Sequence, residues 1–229
     1  MAGVSWSRIR NWPGPTMESE PFVYVVAGPN GIGKSTSAYS VLPINIPIIN
    51  ADDIAKQLRE ELLDLNVQEL ANAEAVQRMN KYLARKESFG FETNLADNDT
   101  WEFLKRMNLI GYKVIIQFFC TDNIDLCINR VMSRTSEGGH FVREDIIRGR
   151  YHNAIRLLKH YKKVPNQLLL TDNSTVPIDI CRIVNGEISF EDVPIPQWVM
   201  EILTEATISR PKDETIEEIR ERYRRGKRE

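Results

Sequence analysis

From Phe22 onward, short runs rich in β-branched and aromatic residues alternate with longer stretches whose apolar residues recur every three or four positions. The first kind of run suits a buried strand and the second an amphipathic helix. The pattern predicts strands at 22–27, 46–50, 88–92, 112–119 and 167–171. Helices are predicted at 34–41, 54–63, 67–86, 100–108, 124–134 and 143–162. Strands alternating with helices of this length point to a mostly parallel sheet, because each crossover must carry the chain back to the same edge before the next strand starts. After Asp172 the pattern changes: 178–184 and 187–190 are joined by Asn185-Gly186, a strong hairpin signal. An apolar helix around 198–203 follows the breaks at Pro194 and Pro196. Beyond Pro211 the tail interleaves Glu with Arg, as at Glu218 and Arg222, which predicts a solvated, salt-bridged helix.

The expected organisation is therefore a leader over 1–20, one α/β domain over 21–210 with a lid at about 135–150, and a charged helical tail over 211–229. Composition adds little to this picture. With 42% hydrophobic and 27% charged residues the 229-residue chain matches an ordinary globular protein. A net charge of -2 offers no basic excess for a nucleic-acid backbone, so a small-molecule partner is expected instead. Cys120, Cys127 and Cys181 show neither a disulfide framework nor zinc-ligand spacing. The longest apolar run, 114–120, is too short to span a bilayer and no signal peptide is evident, which makes a cytoplasmic location the expectation.

The chemistry starts at the end of the first strand. There "AGPNGIGKST" places Gly28, Gly33, Lys34 and Ser35 in the spacing GxxxxGK[ST], between an apolar strand and a helix. That context is what a phosphate loop requires: glycines let successive N–H groups point inward at a phosphate, and the helix adds its positive end. Gly28, Pro29, Asn30, Gly31, Ile32, Gly33, Lys34, Ser35 and Thr36 are the nucleotide-binding candidates. Lys34 suits the β- and γ-phosphates and the Ser35 hydroxyl suits Mg2+. No NKxD segment that would read guanine is present, which favours ATP.

Downstream, "INADDIA", "FGFETNLA", "RVMSRTSEGGHFVREDIIRGRY" and "LLLTDNST" each follow a predicted strand or lead into a helix. In an open parallel sheet the carboxyl ends of the strands share one rim, so Asp52, Glu92 and Asp172 are expected to face the crevice beside the phosphate loop. Taken in order, these motifs resemble the zeta-toxin family of P-loop kinases over about 22–174. The resemblance implies a P-loop NTPase/kinase fold with a central, mostly parallel five-stranded sheet flanked by helices, followed here by the C-terminal hairpin and helical tail. It also implies an ATP- and Mg2+-dependent enzyme phosphorylating a hydroxyl of a sugar nucleotide such as UDP-N-acetylglucosamine, with an antitoxin protein as a partner in trans.

The same resemblance implies that Asp52 is the general base, that Glu92 and Thr93 bind substrate, and that Arg134 with Arg143 or Arg148 spreads over the transferred phosphoryl group. Other roles stay open. Glu92 also suits a water-linked magnesium partner. Arg130 and Arg134, four residues apart on one helix, also suit surface ion pairs. His140 in "GGH" suits a loop-shaping hydrogen bond, and Asn173 and Ser174 suit either the adenine end or a cap. After that histidine the chain reads "FVRE" where the family usually has a proline, so the second lid arginine is open among Arg143, Arg148 and Arg150. Asp53, directly before the helix expected from Ile54, is assigned to capping and Asp52 to chemistry.

Overall fold

The structure, a computed structural model, describes residues 20–41, 46–61, 66–136 and 141–204. Residues 1–19 of the predicted leader over 1–20, the tail over 211–229 and His140 lie outside the described residues. Seven strands form one sheet in the order β2-β3-β1-β4-β5-β6-β7. They are β1 (Phe22–Ala27), β2 (Ile48–Ile49), β3 (Phe89–Thr93), β4 (Lys113–Cys120), β5 (Gln167–Asp172), β6 (Ile178–Val184) and β7 (Glu187–Phe190). The helices are α1 (Lys34–Val41), α2 (Ala51–Glu61), α3 (Val67–Arg85), α4 (Asn98–Leu109), α5 (Ile124–Ser136), α6 (Glu144–Tyr161) and α7 (Gln197–Leu203).

All pairs from β2 to β5 are parallel, as the crossover lengths predict. The expected five-stranded sheet and C-terminal hairpin are both present, and they join edge to edge. β6 pairs antiparallel with β5, so the hairpin continues the same sheet to seven strands. Its turn takes Asn185 at φ 50° and Gly186 at φ 85°, the left-handed backbone that the residue pair favours.

β1 lies in the interior of the sheet, between β3 and β4, and every residue from Phe22 to Ala27 is buried. Alternation splits it between two cores. Val23, Val25 and Ala27 face the larger core with Trp101, Phe118, Leu158 and Trp198. Phe22, Tyr24 and Val26 face the smaller one with Ile32, Phe119, Cys127 and Val131. A polar row crosses the second face: Tyr24 Oη donates to Gln117 Oε1 (2.8 Å), Gln117 Nε2 to Thr171 Oγ1 (3.3 Å), and Thr171 Oγ1 to Asp179 Oδ1 (2.9 Å). The row satisfies polar groups that would otherwise be costly in a core. With β1 fixed on both flanks, its carboxyl end delivers the phosphate loop to the rim of the sheet at a defined place.

Candidate active site

The loop between β1 and α1 is held by backbone that a side chain would obstruct. Gly28 has φ 143°, and a Cβ there would run into the Phe119 carbonyl of β4; Gly31 has φ 77°, and its Cβ would meet the Cys127 carbonyl of α5. Ile32, directly after Gly31, is fully buried in the smaller core. Asn173 Nδ2 donates to Ile32 O (2.7 Å) and to Ser37 Oγ (3.1 Å), which ties the loop to the end of β5. Arg130 on α5 closes the same frame, its guanidinium donating to Ile32 O (3.2 Å), Asn173 O (3.0 Å) and Ser174 O (3.0 Å). Of the residues expected to bind nucleotide, Asn30, Gly31, Gly33, Lys34, Ser35 and Thr36 line an open cleft of about 650 Å³, whereas Gly28, Pro29 and Ile32 frame it from behind.

Five side chains meet on the floor of this cleft. Lys34 Nζ donates to Gly28 O (2.7 Å) and Pro29 O (3.1 Å), and lies 3.4 Å from Asn94 Oδ1 and 3.9 Å from Glu92 Oε1. Ser35 Oγ donates to Glu92 Oε2 across 2.9 Å, and Asn50 Nδ2 donates to the same oxygen across 3.1 Å. Burial draws the Lys34 ammonium below its usual range, opposed by the charges of Glu92 and Asp52. Burial likewise raises the Glu92 carboxyl, opposed by Lys34 and by the Ser35 hydrogen bond. Desolvation dominates on both sides, and the mutual attraction of the two groups with the Ser35 hydrogen bond works against it.

The two aspartates divide differently from expectation. α2 begins at Ala51, three residues before the predicted start, because Asn50 is its N-cap: the Asn50 side chain accepts from Asp52 N (2.9 Å) and its carbonyl accepts from Ile54 N (3.1 Å). Asp52 and Asp53 therefore both sit inside the first turn, and the capping role assigned to Asp53 belongs to Asn50. Successive helical positions point about 100° apart, and of the pair only Asp52 lines the cleft. Thr93 also lines it, its hydroxyl accepting from Leu95 N (3.1 Å). Asp172 is not part of the wall. Its carboxylate takes Ser174 N (3.0 Å) and the Trp198 indole N–H (3.3 Å), so the rim argument holds for Asp52 and Glu92 but not for the third acid.

The arginines separate as sharply. Arg134 is exposed, lines the cleft and makes no ion pair among the described residues. Arg143 is bound by Asp145 (2.7 Å), and Arg148 by Asp125 and Glu144 (both 2.8 Å), so neither reaches the cleft. The arginine of α6 that touches the phosphate loop is Arg150, whose Nη1 donates to Asn30 Oδ1 (3.1 Å). The helical period explains the last two: Glu144 and Arg148, four residues apart, share one side of α6, and Arg150, two residues on, points about 200° away from Arg148, while Arg143 precedes the helix as its extended N-cap residue. Asn50, Asn94 and the loop-bracing role of Arg130 were not anticipated. An Asn directly before "ADD" at a strand end is an N-cap signal that was available in the sequence.

No protein-family model matches the chain. An uncharacterized protein of Haemophilus influenzae is 27% identical over 139 residues, 59% of this chain and 94% of that protein. Among solved structures, the AvrRxo1-ORF1:AvrRxo1-ORF2 complex with sulphate ions aligns with a TM-score of 0.60 at 13% identity, over 84% of this chain and 66% of that chain. The same pair crystallised with ATP aligns at 0.58 and 12% identity, over 86% and 67%. A structure from the PezAT chromosomal toxin-antitoxin system of Streptococcus pneumoniae aligns at 0.55 and 14% identity, over 98% of this chain and 97% of that chain. At these identities the likeness is one of fold. The chain has a P-loop NTPase/kinase fold. Among the described residues no helix is long and apolar enough to cross a membrane.

Proposed function

We propose that this protein is an ATP-dependent small-molecule kinase that moves the γ-phosphoryl group of ATP onto a hydroxyl of a sugar nucleotide such as UDP-N-acetylglucosamine. The observation that carries the reading is the meeting of Lys34, Ser35, Glu92, Asp52 and Arg134 in the walls of one cleft. Each has a task there. The loop N–H groups and Lys34 bind the β- and γ-phosphates, with Lys34 exchanging its present carbonyl partners for phosphate oxygens. Asp52 orients the acceptor hydroxyl and takes its proton as the new O–P bond forms and the bond from the γ-phosphorus to the β-phosphate oxygen breaks, releasing ADP. Arg134 and Arg150 steady the charge spread over the transferred group.

The hydroxyl of Ser35 and the carboxylate of Glu92, 2.9 Å apart, form the hard oxygen donor set that suits Mg2+. Bound there, the ion would neutralise phosphate charge. Thr93 and Asn94, beside Asp52 in the wall, suit the hydroxyls of a sugar ring. The likeness to the PezAT system supports extending the proposal to an antitoxin that would act in trans.

Incubation with ATP, Mg2+ and UDP-N-acetylglucosamine, followed by mass spectrometry, tests the reading. ADP and a singly phosphorylated sugar nucleotide are expected. ATP turnover with a different acceptor would overturn the acceptor class, and failure to bind ATP would overturn the kinase assignment.

A further inference from the structure

We propose that Asn50 is a positioning residue that holds Asp52 and Glu92 in register across the cleft, an inference that rests on the kinase reading above. Asn50 lies between the end of β2 and the start of α2 and is 7% exposed. Its two amide ends serve two different elements. Oδ1 accepts from Asp52 N at 2.9 Å, fixing the first turn of α2 that carries the base. Nδ2 donates to Glu92 Oε2 at 3.1 Å, and the same oxygen accepts from Ser35 Oγ at 2.9 Å. A continuous path of hydrogen bonds thus runs from the phosphate loop through Glu92 and Asn50 to the backbone of Asp52. The orientation of the amide is forced, because the Asp52 N–H needs an acceptor and the Glu92 carboxylate needs a donor.

The capping side chains aspartate and serine do not serve both ends. Aspartate caps a helix but cannot donate to Glu92 and would repel it. Serine caps a helix and is too short to reach Glu92. Asn50 therefore couples the spacing of the acceptor side to the nucleotide side, and a small error in that spacing is costly to in-line transfer.

The test compares Asn50→Ser, Asn50→Asp and Asn50→Ala in the full chain. Asn50→Ala is expected to lower the thermal midpoint by about 2–4 °C through loss of the cap and Asn50→Ser to recover it, whereas Asn50→Asp restores the cap but sets a second carboxylate against Glu92 and stays below wild type. All three are expected to lower kcat by about 10- to 100-fold, with the dissociation constant for ATP, read by calorimetry, within about threefold of wild type. An Asn50→Ser protein with wild-type kcat would reduce Asn50 to a helix cap and overturn the inference; so would a parallel loss of ATP affinity. Should the wild-type chain bind ATP yet phosphorylate no acceptor, the kinase reading fails, and a crystal structure of Asn50→Ser then decides. Movement of Glu92 away from Ser35 or of Asp52 out of the cleft supports the positioning role, whereas superposition of all three on the wild type overturns it.

Discussion

Arg150 of α6 donates to the Asn30 side chain of the phosphate loop across 3.1 Å, whereas Arg148, half a turn away, is held by Asp125 and Glu144 on the outside of the same helix. Proximity to the site thus follows the helical face. Arg150→Ala is expected to lower kcat about 100-fold, the scale for losing one donor to transition-state charge. Arg143→Ala and Arg148→Ala should leave kcat near wild type, because exposed ion pairs contribute little. Steady-state kinetics on the three variants checks this, and a loss confined to Arg148→Ala would reverse the assignment.

Asp52→Asn should lower transfer by about 10²- to 10⁴-fold, the usual range for a positioned base, with ATP affinity nearly unchanged. Asp53→Asn, one residue on and outside the cleft wall, should transfer at close to the wild-type rate. Equal losses in the two variants would mean that the acidic first turn of α2 acts through its field and not through one carboxylate.

Gly31→Ala should destabilise the chain and weaken ATP binding together. A left-handed backbone costs a residue with a Cβ roughly 1–2 kcal/mol, and here the added carbon also meets the Cys127 carbonyl. Gly149, in α6 with nothing within 4 Å of its missing Cβ, supplies the contrast. Gly149→Ala should stabilise by about 0.5–1 kcal/mol through helix entropy. Thermal melts with and without ATP read both.

Asp179→Asn should raise the thermal midpoint at neutral pH. Burial raises the Asp179 carboxyl above its usual range, opposed by the Thr171 hydrogen bond and by Arg182. The folded state therefore holds this proton more tightly than the unfolded chain, so its ionisation is a penalty that develops as pH rises above the unfolded value, near about 4. The amide keeps an oxygen for Thr171 and has no charge to desolvate. The advantage should shrink towards acid pH, and an advantage independent of pH would point to packing instead.

Much of this architecture was legible in the sequence because the local signals agree with the tertiary result. β1, α1 and the hairpin strands fall where periodicity and Asn185-Gly186 put them. Three features were hidden for physical reasons. The start of α2 is set by a side-chain cap at Asn50, and acidic residues suit a cap and a first turn alike, so Asp53 was misassigned. The faces on which Arg148 and Arg150 lie depend on how α6 packs through Ile147 and Tyr151, and Arg143 precedes that helix, none of which a motif spacing reveals. Arg130 forms long-range bonds to backbone carbonyls, and carbonyls leave no mark on the sequence. Lys34 and Ser35 were readable because their spacing follows from the shape of a phosphate.

The frame around the phosphate loop bears on the thermodynamics of recognition. Gly31 rests on the Cys127 carbonyl, while Arg130 and Asn173 both hold the Ile32 carbonyl, so the loop has its curvature from contacts made during folding. A loop braced in this way has little backbone freedom left to lose on association, and the change that remains is the exchange of partners at Lys34. Shaping this loop should accordingly add little to the cost of binding a triphosphate, and a slow step in the cycle has to lie elsewhere.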